Sequence, residues 1–148
     1  AAGREYGAEV VKRSADDDRE SFTLELAGCY PDIGIESLQR TFVLDRPAGE
    51  LTVEDQAQFD GGGDFQSMLV SYFPIEASDG GLTVVGDRGR ATIVLEAASD
   101  HEVERLEEKI DKSEDDEFEK DFPDVWRARI DATADSETDA IARYTIRV

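Results

Sequence analysis

Between Leu51 and Phe59 the chain alternates strictly. Leu51, Val53, Asp55, Ala57 and Phe59 point to one side of an extended backbone, and the residues between them point to the other. Such a segment is a strand with one face in a core, and the core face here carries an acid. The same period of two recurs in Tyr6, Ala8 and Val10, in Phe22, Leu24 and Leu26, and in Ala91, Ile93 and Leu95. Trp126, Ala128, Ile130 and Ala132 repeat it near the end, as do Ala142, Tyr144, Ile146 and Val148. A chain patterned this way is bound to build sheets and to bury one side of each.

Turn signals divide the pattern every 8–12 residues, as an all-β sandwich or barrel requires. Ser14 to Arg19, Arg46-Pro47-Ala48-Gly49, Asp79-Gly80-Gly81 and Asp87-Arg88-Gly89 are the clearest, and Gly61-Gly62-Gly63 reads as a loop. Arg40 to Leu44, the Arg46–Gly49 turn and the Leu51–Phe59 strand make a β-hairpin. Gln66 to Ile75 is apolar on both faces, which predicts a central strand. Residues 101–112 show helical spacing at Val103, Leu106 and Ile110, but their neighbours are all strands and an exposed strand is expected. Ser113 to Asp121 reads as a charged loop. The last two strands are expected to pair antiparallel, with Arg129 near Arg143, so that their apolar faces coincide. The 148 residues therefore predict one domain, an antiparallel β-sandwich of about ten strands with little or no helix.

Charge narrows the partners. Asp and Glu number 36 against 16 Lys and Arg, a formal net charge of −20. Nucleic acid is not an expected partner, because phosphate binding needs a basic footprint. No run approaches the ~18 apolar residues of a membrane helix, and AAGREYGAEV lacks a basic region followed by an apolar one. Neither membrane nor signal segment is expected. Lysine occurs only at 12, 109, 112 and 120, and an Asp-rich, Lys-poor surface suits solubility at high salt.

Few residues qualify for chemistry. Cys29 is the single cysteine and His101 the single histidine. A disulfide within the chain is excluded and zinc is disfavoured. Cys29 ends an apolar alternation and is expected as a buried structural thiol, and His101 as a surface residue. No cofactor is expected. Calcium, which takes oxygen ligands, is the weak exception at Asp16-Asp17-Asp18 or at Asp60 and Asp64, though neither has the spacing of a calcium loop. Glu54 and Asp55 point to opposite faces and cannot act as a catalytic pair. Asp55, on an apolar face, needs a partner, and Arg40 is the candidate. Arg127, Arg129, Arg143 and Arg147 form the one basic pattern. Like charges opposite one another are unfavourable, so acidic neighbours are expected first, ahead of a partner domain or an anionic ligand. Trp126 belongs to the core face, and Tyr30, before Pro31 in a loop, is the exposed aromatic best placed to touch a ligand.

Several of these segments resemble, in order, the C-terminal β-sandwich of heparinase II/III-like polysaccharide lyases. They are Gly3-Arg4-Glu5-Tyr6-Gly7-Ala8, Leu24-Glu25-Leu26-Ala27-Gly28-Cys29-Tyr30-Pro31, Gln39-Arg40-Thr41-Phe42-Val43-Leu44-Asp45-Arg46, Leu51-Thr52-Val53-Glu54-Asp55-Gln56 with Phe59, and Trp126-Arg127-Ala128-Arg129-Ile130. The resemblance implies a larger enzyme in which a helical toroid precedes antiparallel β-sheets. Tyrosine and histidine of the upstream regions remove the proton α to a uronate carboxylate, and the glycoside leaves by β-elimination. Nothing in this sequence matches those catalytic or metal-binding motifs.

The resulting expectation is a non-catalytic C-terminal β-sandwich that packs on an upstream catalytic domain of the same chain and helps shape an acidic-polysaccharide cleft. No residue here is expected to be catalytic. Tyr30 and Arg40 are the candidate ligand contacts. The sequence leaves the compartment open, with a secreted or periplasmic parent enzyme as one reading. The rival readings are a self-standing carbohydrate-binding β-sandwich and a small hydrolase working through carboxylates.

Overall fold

The computed structural model describes residues 7–30, 34–106 and 124–148. In chain order the strands are β1 (Glu9–Ala15), β2 (Arg19–Glu25), β3 (Ile35–Asp45), β4 (Glu50–Phe59), β5 (Gln66–Ser71) and β6 (Ile75–Ser78). They continue with β7 (Gly81–Gly86), β8 (Gly89–Ala97), β9 (Asp100–Leu106), β10 (Val125–Asp131), β11 (Thr133–Ala134) and β12 (Asp139–Arg147). One 3-10 turn, Ala27–Cys29, is the sole helical element among the described residues. A nine-stranded sheet runs β1-β2-β3-β4-β12-β8-β7-β6, with β11 paired to β12, and a three-stranded sheet runs β5-β10-β9. All ladders are antiparallel, so the chain is the expected all-β sandwich, with twelve strands among the described residues where about ten were expected.

Turn chemistry explains the hairpins. Asp16 Oδ1 accepts the backbone N–H groups of Asp18 at 3.0 Å and Arg19 at 2.7 Å, closing the turn between β1 and β2. Asp45 Oδ1 accepts the Ala48 N–H at 2.9 Å in the β3–β4 turn, and Gly49 completes that turn at φ 67°, a conformation that favours glycine. Asp87 and Arg88 form the tight turn joining Gly86 of β7 to Gly89 of β8.

The core lies between the sheets. Val53, Ile75, Leu82, Ile93 and Tyr144 from the large sheet meet Ala128 and Ile130 from the small one, with Trp126 packed against them. Burial of each large apolar side chain contributes about 1.5–3 kcal/mol. Leu38, Ala57, Phe59 and Ala140 form a second cluster, with Leu26 and Ile35 against it.

Several expectations change. The strands β10 and β12 are not neighbours: β10 lies between β5 and β9, and β12 between β4 and β8. Their apolar faces do coincide, but across the sandwich rather than side by side. The Gln66–Ile75 segment is two strands in two sheets, parted at Tyr72-Phe73-Pro74, and β5 is an edge strand rather than a central one. Its second apolar face is exposed, with Met68 at 44% and Val70 at 62%. Phe22 shares its side with the core residue Phe42 as expected, and the rings stack at 4.7 Å, yet it is 37% exposed, while Thr23 on the opposite side is buried. Thr23 is sealed by a 2.9 Å hydrogen bond between its hydroxyl and that of Thr41. Cys29 is exposed rather than buried, because the 3-10 turn takes it out of the alternation. The expected exposed strand over 101–112 is present as β9 through Leu106. The rest of that span, the 113–121 loop and Tyr6 lie outside the described residues.

Candidate functional site

Arg40, at the middle of β3, is directly opposite Asp55 of β4, because the Arg46–Gly49 turn sets the hairpin register. The guanidinium donates through Nε to Asp55 Oδ1 at 2.6 Å and through Nη2 to Oδ2 at 2.8 Å, a parallel two-bond fork. Asp55 is fully buried and the Arg40 side chain is 28% exposed. The same Nη2 approaches the hydroxyl of Ser67 on β5 at 3.4 Å. Ser67 in turn lies within hydrogen-bonding reach of the Tyr144 phenol on β12. Two groups of the large sheet, Arg40 and Tyr144, thus reach one group of the small sheet. Along β4 the acid falls between Val53 in one apolar cluster and Ala57 in the other, so the polar network occupies the seam between them.

The electrostatics are those of a fixed bridge. The hydrogen bond to Asp55 raises the Arg40 pKa further, against the opposing cost of burial. Burial pushes the Tyr144 phenol up, while the Ser67 hydrogen bond and the Arg40 charge pull it back in part. Arg40 stays a cation and Tyr144 a neutral phenol at neutral pH. No buried polar side-chain atom among the described residues lacks a hydrogen-bond partner. The network can therefore lock the sheets in register and present one guanidinium edge outward. Tyr30 is 48% exposed just after the 3-10 turn.

Of the two sequence-derived candidates, Arg40 lies in the seam and Tyr30 on the surface after the 3-10 turn. Sequence reasoning misses Ser67 and Tyr144. Their alternation marks them as inward-facing, but no pattern announces that two strands from different sheets meet there.

The other candidates resolve into structure. Each of the four arginines has the acidic neighbour expected of it. Arg127 pairs with Glu104 and Arg129 with Glu102 on the small sheet, and Arg143 pairs with Glu54 and Arg147 with Glu50 on the large one. They do not form one patch, because their sheets face opposite ways. His101 hydrogen-bonds through Nε2 with the Ser78 carbonyl at 3.0 Å and ties β9 to β6. Among the described residues no three His, Cys, Asp or Glu side chains cluster as metal ligands, and no helix is long and apolar enough to cross a membrane.

One surface lacks an internal explanation. The strand β5 carries no charged residue, and Met68 and Val70 project from its outer face. Tyr72 and Phe73, immediately after it, are 69% and 45% exposed. Edge strands are normally blunted by charge, as β1 is with Glu9, Lys12 and Arg13 and β9 is with Asp100, Glu102, Glu104 and Arg105.

No family model matches this chain, and no curated protein matches its sequence. Solved structures do match. A heparan sulfate lyase HepC mutant from Pedobacter heparinus superposes with a TM-score of 0.67 at 12% identity, over 95% of this chain and 21% of that one. A heparinase III gene product superposes with a TM-score of 0.66 at 8% identity, with the same coverage of 95% and 21%. The fold is therefore one shared with heparinase III structures, and the chain spans about a fifth of their length.

Proposed function

We propose that this chain is a non-catalytic β-sandwich domain of a heparinase II/III-like polysaccharide lyase, C-terminal to the catalytic domain and packed against it. The observation that carries the reading is the match of nearly the whole chain to one fifth of a heparan sulfate lyase. The unblunted apolar edge at β5 supports it, because a surface of this kind is what a second domain covers. The seam network supports it as well, since Arg40 and Tyr144 are both shifted upward, away from neutral pH. In this reading the domain works without a cofactor. The parent enzyme cleaves a uronate-containing polysaccharide by β-elimination, and the domain's contact with that substrate falls to Tyr30 and the outward edge of Arg40.

The docking part of the proposal is tested on the protein carrying every residue its gene encodes. Val70→Gln with Tyr72→Lys is expected to lower lyase turnover by about tenfold or more and to expose the domain junction to protease. In the 148-residue chain the same pair should leave the melting temperature unchanged, since both side chains are exposed. Full turnover with an intact junction would overturn docking through β5.

A further inference from the structure

The outer face of the large sheet holds a second feature, away from the Arg40 network. The chain contains four glutamines and no asparagine. Three of the four, Gln39, Gln56 and Gln58, line one open pocket of about 350 Å3, together with Ser37, Asp135 and Asp139. Ladder register sets them in two cross-strand rows, Gln39–Gln56–Ile141 and Ser37–Gln58–Asp139.

Hydrogen-bond direction decides what this pocket offers. Gln39 lies opposite Glu25 in the β2–β3 ladder, and toward a carboxylate, which can only accept, an amide can offer only its NH2 group. The Ser37 hydroxyl also donates to Glu25, at 2.7 Å. Gln56 donates through Nε2 to Glu54 Oε1 at 2.9 Å. An amide that turns one N–H to a neighbouring acid keeps its second N–H to donate and Oε1 to accept. Asp139 Oδ2 is held by the Ser136 hydroxyl at 2.8 Å, which leaves Oδ1. The pocket therefore offers neutral amides that both donate and accept, on adjacent strands about 5 Å apart, beside carboxylate acceptors. A ligand that fits must both donate and accept hydrogen bonds at spaced positions, as hydroxyl groups do, and carry no negative charge, because Asp135 and Asp139 repel anions. Ile141, beside Gln56, adds an apolar contact for a C–H face. The volume lies at the small end of ligand pockets, of the order of one or two sugar rings.

We infer that this pocket binds an uncharged, hydroxyl-rich saccharide unit, distinct from the acidic polysaccharide of the proposed parent enzyme. The inference stands on the pocket alone and survives or fails independently of the lyase reading. Its test is calorimetric and NMR titration of the 148-residue chain with unbranched tetrasaccharides of glucose, mannose, galactose and xylose. A heparan sulfate tetrasaccharide and calcium chloride are run beside them. Saturable binding of at least one neutral tetrasaccharide is expected, with shifts centred on Gln39, Gln56 and Gln58. Gln56→Leu with Gln58→Leu should weaken that binding by about tenfold, the loss of roughly one well-made hydrogen bond, at an unchanged melting temperature. Three results would overturn the inference: no binding of any neutral tetrasaccharide, binding untouched by the double substitution, or binding of calcium or the sulfated sugar alone.

Discussion

Arg40 and Asp55 face each other across the β3–β4 hairpin, with an acid that has no exposure to solvent and two hydrogen bonds of 2.6 and 2.8 Å between them. Removing one member strands the other. Asp55→Ala is expected to destabilise the chain by about 3–5 kcal/mol, whereas Arg40→Met with Asp55→Leu should cost much less or even stabilise, because ion-pair desolvation is then avoided. Urea denaturation of the single and paired variants checks this. Equal losses in Asp55→Ala and in the apolar pair would show that the ion pair does not govern the seam.

That relationship is legible in the amino-acid sequence. The turn at 46–49 sets the hairpin register, and alternation puts Asp55 inside with nothing else to neutralise it. Ser67 and Tyr144 are not legible, because alternation states which way a side chain points and not which strand lies opposite. The same gap misassigns β10 and β12. Their apolar faces demand contact, and side-by-side pairing and stacking across the core both satisfy that demand. The strand β5 misleads for a different reason. An apolar outer face reads as central only if every apolar face is covered within the chain, and Met68 and Val70 are not covered. Cys29 fails locally, where a 3-10 turn ends the strand period.

Glu25 shows how the β2–β3 edge responds to acid. Burial alone would raise its pKa, but hydrogen bonds from the Leu38 and Ala27 N–H groups, Ser37 and Gln39 outweigh burial and hold it below the ordinary value of 4.5. The folded pKa is depressed, so the unfolded chain binds more protons in this range. The stability Glu25 contributes is present above pH 4.5 and is lost as pH falls through the folded value. The stability difference between the parent chain and Glu25→Gln should therefore hold above about pH 5 and shrink as the pH falls below 4.5. A difference that stays constant as the pH falls contradicts the role given to these hydrogen bonds.

Gly80 and Gly81 look equivalent in sequence, yet the fold needs only one of them to be glycine. A Cβ at Gly81 would lie 2.2 Å from the Ile93 carbonyl oxygen on β8, while one at Gly80 meets nothing within 4 Å. Gly81→Ala should cost about 1–3 kcal/mol through displacement of β7 from β8. Gly80→Ala should stay within about 0.5 kcal/mol of the parent chain. Thermal melts of the two variants decide this, and equal melting temperatures would contradict the close β7–β8 approach.

The central claim, a domain that supports a lyase without performing its chemistry, is tested most directly by ultraviolet absorbance of unsaturated uronate. The 148-residue chain and the protein with every residue its gene encodes are each incubated with heparan sulfate, heparin and alginate. The account predicts absorbance growth on at least one substrate from the gene's full product and none from the 148-residue chain. Sustained turnover by that chain alone, or none by the full product on any uronate polysaccharide, would contradict it.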